Sequence, residues 1–324
     1  MGIDLTQLTT TCSVWGCERR LSPHTFGTGA TLLQRRSLQA VLVYSSLARG
    51  LCLPTLRRQG RLVYEPGLWL CGKCRYQASV AAGTVFQDSH LPLVTWFRAM
   101  WYVTSQKNGM SALGLQRVLG LSSYKTAWAM LHKLRRAMVR PGRDRLRGTV
   151  EVDETYWGSE EEGVIGRQTE KKALIAVAAE EDGKGIGRIR LRHIPDVTKA
   201  SLHGFIAQAI EPGNTVRTDG LPAYLGLEGY VHDRQVQRHQ PEGEHLLPRV
   251  HQVVSLLKRW LLGTHQGAIG HEHLEYYLDE FTFRFNRRRS ASRGKLFYRL
   301  VQQAVQVEPA PFALLIKPQS LGGG

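Results

Sequence analysis

The sequence predicts an α/β protein in which a layered sheet domain follows a small β module and a helix-turn-helix. Two observations carry that prediction. The hydrophobic period changes twice along the chain, from short apolar pieces to helical stripes and then to strand alternation. The charge is also unevenly spread: residues 1–150 hold 21 Lys and Arg against 5 Asp and Glu, whereas residues 151–324 hold 22 against 22. A basic first part suited to a polyanion thus precedes a charge-balanced part suited to an enzyme core, which excludes a uniformly cationic binder. At 42% hydrophobic and 22% charged, the 324 residues can bury a core, so wholesale disorder is excluded as well.

Residues 1–50 show no sustained period and receive no assignment. The apolar stretch Leu38 to Leu47 is too short to span a bilayer, and residues 1–20 lack a basic-then-apolar leader pattern. A soluble cytoplasmic protein with no membrane partner is expected. Residues 51–90 form the β module: Leu62-Val63-Tyr64 and Leu68-Trp69-Leu70 end in turn residues or cysteine, as small hairpins do. Residues 91–141 change to helical spacing. One stripe is Trp96, Phe97, Met100 and Trp101, a second is Leu113, Leu115, Val118 and Leu119, and a third is Trp128, Leu131, Leu134 and Met138. Gly120-Leu121-Ser122-Ser123 parts the last two stripes as a turn does, with Ser122 or Ser123 as N-cap.

The sheet domain is assigned to residues 148–305. Thr149 to Asp153 alternates apolar and polar, Ala173 to Ala179 is a continuous buried run, and Ile189 and Leu191 alternate with arginines, giving three successive strands close enough to pair antiparallel. A helix over Ala200 to Ile210, a strand over Asn214 to Thr218, and helices over Val250 to Leu262 and His273 to Asn286 complete an α/β layer. Residues 306–324 read as a tail.

Cysteine usage points to metal. All five cysteines fall in the first quarter of the chain, and Cys71-Gly72-Lys73-Cys74 is a C-x-x-C knuckle with Cys52 a hairpin's length upstream. The second member of that first pair is missing, since Thr55 stands three residues after Cys52. Zinc on Cys52, Cys71 and Cys74, completed by Cys12, Cys17 or His24, stands beside ordinary buried cysteines as the two readings.

Basic residues point to nucleic acid. The third stripe's helix carries Lys125, Lys133, Arg135 and Arg136, and ten of the 21 bases of the first half lie between Lys107 and Arg147. A Ser-Tyr-Lys helix start with a basic far end suits a groove reader with phosphate contacts; a solvated basic face is the plainer alternative.

Acids point to chemistry. Asp153 opposes Val150 and Val152 on its strand, and Asp219 ends the strand Val216-Arg217-Thr218. Carboxylates brought together at neighbouring strand ends need a cation, and a pair of Mg²⁺ ions there would support in-line phosphoryl displacement. On the closing helices, His251, Ser255 and Lys258 are spaced i, i+4, i+7, as are Glu280, Arg284 and Arg287, each set opposite an apolar stripe. The second set is open between an i,i+4 ion pair and a role at the metals and phosphates.

Several strings then resemble one family. Cys71-Gly-Lys-Cys-Arg-Tyr-Gln-Ala-Ser, Leu91-Pro-Leu-Val-Thr-Trp-Phe, Tyr124-Lys-Thr-Ala-Trp, Val150-Glu-Val-Asp-Glu-Thr-Tyr-Trp-Gly, Val216-Arg-Thr-Asp-Gly-Leu-Pro-Ala-Tyr and Leu257-Lys-Arg-Trp-Leu-Leu-Gly are similar to bacterial insertion-sequence DDE transposases with an N-terminal zinc ribbon, the ISXO-two-like group. The resemblance covers about residues 52 to 300. It implies a ribonuclease-H-like catalytic core, with the first acid on the first strand at Asp153 and the second after the fourth strand at Asp219. It also implies binding of terminal inverted repeats and target DNA, two Mg²⁺ or Mn²⁺ ions, strand cleavage followed by strand transfer, and a homo-oligomer in a nucleoid-associated synaptic complex. The third catalytic role falls to His251, where many relatives carry an acid or amide, or to Glu280 of a Glu-x3-Arg-x2-Arg pattern. Lys258, Arg284 and Arg287 are implied at DNA phosphate. The substitution at His251, the absent ribbon cysteine and the unmatched residues 1–50 keep a catalytically decayed transposase, or a DNA-binding regulator, as the alternative.

Overall fold

The computed structural model describes residues 62–65, 68–71, 77–79, 81–140, 142–158, 172–236 and 246–316. They fall into two compact units: Met1–Ala137 with Ser290–Leu315, and Met138–Arg289 with Ile316–Gly324.

The first unit opens with an antiparallel meander of β1 (Leu62–Glu65), β2 (Leu68–Cys71) and β3 (Gln77–Ser79), in which Leu62 pairs with Cys71 and Trp69 with Ala78. Three helices follow: α1 (Leu93–Ser105), α2 (Ala112–Leu119) and α3 (Tyr124–Arg136). Ser111 caps α2 by accepting from the Gly114 N–H, and Gly120 ends it at φ 63°, a left-handed conformation that costs glycine little. Ser123 is the N-cap residue of α3, but its side chain makes no cap hydrogen bond. The core gathers Phe86, Phe97, Met100, Leu115, Leu131 and Leu134, all 2% exposed or less.

The second unit is built on five strands in the order β6-β5-β4-β7-β8: β4 (Thr149–Trp157), β5 (Ala173–Asp182), β6 (Gly185–Ile194), β7 (Thr215–Thr218) and β8 (Val231–Arg234). The first three pair antiparallel, as their spacing predicts, whereas β7 runs parallel to β4 and to β8. The crossover from β6 to β7 is α4 (Lys199–Ala209), capped by Thr198. On the α4 face of the sheet, Val150, Val152, Leu174, Ala176 and Ala178 pack with Leu202, Phe205 and Ile206. On the other face, Ile175, Val177, Ala179, Ile189 and Leu191 pack with α5 (Pro248–His265) and α6 (Leu274–Phe285) through Val250, Val253, Leu257, Leu278 and Phe281. Cover on both faces is why β5 reads as an unbroken apolar run.

Two segments differ from the sequence reading. β8 was not expected, because Val231-His-Asp-Arg is an edge strand without an apolar face. Residues 293–315 form α7 (Arg293–Ala304) and α8 (Phe312–Leu315) and group with the first unit, where the rings of Phe97 and Phe297 meet tilted with centroids 6.0 Å apart and the Val85 N–H donates to the Ala304 carbonyl. The stretch read as a tail from residue 306 therefore includes an element whose Leu315 is fully buried.

Candidate active site on the central strands

The site lies within the second unit, where β4 and β7 run side by side. Their parallel register pairs Val150 with Val216 and Glu151 with Arg217. Asp153 stands two residues further along β4, and Asp219 is the residue that follows β7, two beyond Arg217, just past the last registered pair. Asp153 is 18% exposed and its Oδ1 accepts from the Glu154 N–H at 2.8 Å. Asp219 Oδ1 accepts from the Leu221 N–H at 3.0 Å, which holds the turn after β7.

The third group arrives from α5. His251 Nε2 lies 3.4 Å from Asp153 Oδ2, with the imidazole 51% exposed. What places it there is Glu151, a residue the sequence reading passed over. Glu151 is completely buried, and its Oε2 accepts from the backbone N–H groups of Arg249 at 2.8 Å and Val250 at 3.0 Å, while Oε1 meets Arg249 Nη1 at 2.9 Å. Leu247, the N-cap residue, offers no side-chain cap, so a strand carboxylate caps the helix from outside and complements its positive end. His251, in that first turn, is thereby set over Asp153, two residues beyond Glu151. The period of two was the available signal: a carboxylate on the covered face of a central strand needs a partner.

The same end of the sheet carries a chain of ion pairs. Arg249 also binds Glu181 at 2.8 Å, Glu181 binds Arg217 at 2.6 Å, and Arg217 binds Asp233 at 2.7 Å, linking β4, β5, β7, β8 and α5. On the α4 face, Tyr224 is fully buried and donates to Glu154 Oε2 at 2.8 Å. Burial, then the charges of Glu154, Asp153 and Asp219, push its phenol far above the ordinary range, so it stays a donor.

The other expected residues sort as follows. Lys258 lies two turns beyond His251 on α5, partly buried, with its pKa lowered by burial and by Lys172. Glu280 is fully buried on α6, the helix that packs against β6, two strands from β4, while the imidazole of His251 lies against Asp153. Arg284 is half-buried on α6, and Arg287 folds over the Phe283 ring at 4.0 Å.

In the first unit, Lys125 is exposed and Arg136 half-buried, but Lys133 and Arg135 are 8% and 2% exposed. This corrects the expectation that all four lie on one basic surface. Lys133 donates to the Gln87 carbonyl and sits 6.0 Å over the Trp96 ring, and Arg135 meets His132 Nδ1 at 3.3 Å. Of the zinc candidates, Cys52 and Cys74 lie outside the described residues, as does the side chain of Cys71. Among the described residues, no three His, Cys, Asp or Glu groups gather closely enough to hold a metal ion, and no helix is long and apolar enough to cross a membrane.

A mixed five-stranded sheet with one acid on β4, a second just past its parallel neighbour β7, and a helix start over the first, fits a transposase catalytic domain. Comparison with known proteins finds two likenesses that agree with this. Residues 145–286 match the ISXO2-like transposase domain. The chain is also 26% identical, over 78% of its length and 92% of the relative's, to an uncharacterized protein in the transposable element ISH50 of Halobacterium salinarum. The resemblance of the sequence to insertion-sequence DDE transposases is thereby shown.

Proposed function

We propose that this chain is the active transposase of an insertion sequence, which binds terminal inverted repeats and carries out divalent-metal-dependent strand cleavage and strand transfer on a ribonuclease-H-like core. The observation that carries the reading is the approach of His251 to Asp153 on β4, the strand that pairs in parallel with β7, which leads directly to Asp219. Asp153 and Asp219 would hold two Mg²⁺ or Mn²⁺ ions, with His251 completing the site. Their donor set fits: two hard carboxylates suit either ion, and an imidazole shifts the preference toward Mn²⁺. When bound, the metal supplies an acidified water or hydroxyl nucleophile and neutralises the leaving oxygen of an in-line displacement.

The chain's own groups do the rest. Glu151 fixes the start of α5 and so orients His251 at Asp153. Lys258, Arg284 and Arg287 offset phosphate charge as the strand enters. End recognition falls to the first unit, with Lys125 and Arg136 at the phosphates and a homo-oligomer joining two ends; a zinc ion on Cys52, Cys71 and Cys74 belongs to that part of the proposal.

The test is metal-dependent nicking of an oligonucleotide that carries the element's inverted repeat. Asp153→Ala and Asp219→Ala should each lose cleavage and keep end binding. Cleavage persisting in either variant removes the catalytic assignment, and a wild-type chain that binds ends but never nicks with Mg²⁺ or Mn²⁺ is a DNA-binding regulator instead.

A further inference from the structure

The β4–β7 ladder does not reach the two aspartates. Its registered pairs end at Glu151 and Arg217, so strand pairing alone leaves the separation of Asp153 and Asp219 unset. A second path joins them. Asp219 Oδ1 accepts from the Leu221 N–H at 3.0 Å, the Leu221 carbonyl accepts from the Tyr224 N–H at 3.2 Å, and the Tyr224 hydroxyl donates to Glu154 at 2.8 Å. Glu154 in turn donates its N–H to Asp153 Oδ1 at 2.8 Å. Only one link in this path, Tyr224 to Glu154, crosses from the turn after β7 to β4, and it is made by a side chain with no exposed surface.

We propose that Tyr224 and Glu154 are a positioning pair that sets the distance between Asp153 and Asp219 for a divalent cation; this rests on the reading of the two aspartates as metal ligands. Neither residue touches the reacting atoms, and strand alternation sends the Glu154 side chain to the face opposite Asp153. The pair acts as a latch: it closes the loop from one acid to the other where the ladder has ended.

The experiment is calorimetric titration of the full-length chain with MnCl₂ alone, together with the rise in Tm that Mn²⁺ produces. Tyr224→Phe keeps the ring and its packing but deletes the donor, and Glu154→Ala deletes the acceptor. Each should bind Mn²⁺ about tenfold more weakly, the change expected for one hydrogen bond to a charged acceptor, and each should lose most of the Mn²⁺-induced rise in Tm. Glu154→Gln retains an acceptor oxygen and should bind Mn²⁺ nearly as the wild type does. A purely structural role would lower the metal-free Tm and leave the Mn²⁺ increment intact.

Wild-type affinity in Tyr224→Phe, or equal weakening in Glu154→Gln and Glu154→Ala, overturns the latch. Should Tyr224→Phe fail to fold, the two Glu154 variants carry the comparison, since neither alters the buried ring. Asp153→Asn is the control: Mn²⁺ binding unchanged by it would overturn the metal site itself, an outcome separate from failure of the latch.

Discussion

Replacing Glu151 with alanine should test how the sheet aims the first turn of α5. The side chain is 0% exposed and accepts three hydrogen bonds, from the Arg249 N–H, the Val250 N–H and Arg249 Nη1. Truncation leaves two helix N–H groups facing an apolar cover, at about 1–3 kcal/mol for each buried donor left without a partner. The guanidinium fares better, because Arg249 keeps Glu181 at 2.8 Å and the carbonyls of Gly183 and Gly185. The total should therefore fall near the lower end of the ~3–5 kcal/mol typical of a broken buried ion pair, at about 3 kcal/mol. Glu151→Gln retains one carbonyl acceptor and should cost roughly half as much. Native-state hydrogen exchange is the assay, since it isolates the second unit: protection of peptides from β4 and the start of α5 should fall about a hundredfold in Glu151→Ala. A drop under about fivefold, or equal losses in the alanine and glutamine variants, would refute the capping argument.

Three further outcomes follow from burial and charge. Lys125→Ala should leave Tm within the ~0.5 kcal/mol range of a surface change, weaken DNA binding and reduce its salt slope by about one, whereas Lys133→Ala and Arg135→Ala should destabilise the first unit by about 2 kcal/mol; melts and binding at two salt concentrations separate the cases. For Glu180, burial raises the pKa, but the Arg188 guanidinium and the N–H groups of Arg147 and Arg188 outweigh it and leave the carboxyl below its ordinary 4.5. A lowered acid stabilises the fold above that value and loses the contribution as pH falls through the folded pKa, so Glu180→Gln should flatten the acid limb of a Tm–pH curve. Asp279 is the reverse case: burial, then the charge of Glu275, hold it well above 3.8, and stability is lost as pH rises from 3.8 through the folded value. Asp279→Asn should accordingly raise Tm at neutral pH, and an unchanged or lower Tm would count against the raised carboxyl.

What was legible in the sequence had a period. Alternation over Thr149–Asp153 and the apolar run Ala173–Ala179 fixed three strands, and the same period of two set Asp153 on a definable face. Helical spacing likewise fixed His251 and Lys258 on one side of α5. What lacked a period was missed: β8 is four residues with no apolar face, and α7 joins the first unit through contacts between residues about two hundred positions apart, such as Phe97 with Phe297. The burial of Lys133 and Arg135 was illegible for another reason. Helical spacing says which residues share a face but not how wide the covered stripe is, and long side chains can bury their stems beside an aromatic ring, as Lys133 does at Trp96.

The acids of β4 show why composition alone misjudges such a site. Glu151, Asp153 and Glu154 are three carboxylates within four residues, and each has a different office set by one step along the strand. Glu151 is drawn down among α5 N–H groups and the Arg249 guanidinium, where its charge is spent on holding the helix. Two residues on, at the same face but past the last registered pair with β7, Asp153 meets His251. The intervening register sends Glu154 through to the α4 face, where Tyr224 receives it. Charge balance in residues 151–324 therefore does not mean an indifferent surface. The bases beside the site are committed to acids, through Asp233, Arg217, Glu181 and Arg249, and none of these pairs takes up Asp153 or Asp219, the two acids for which the proposed function supplies a cation as counter-charge.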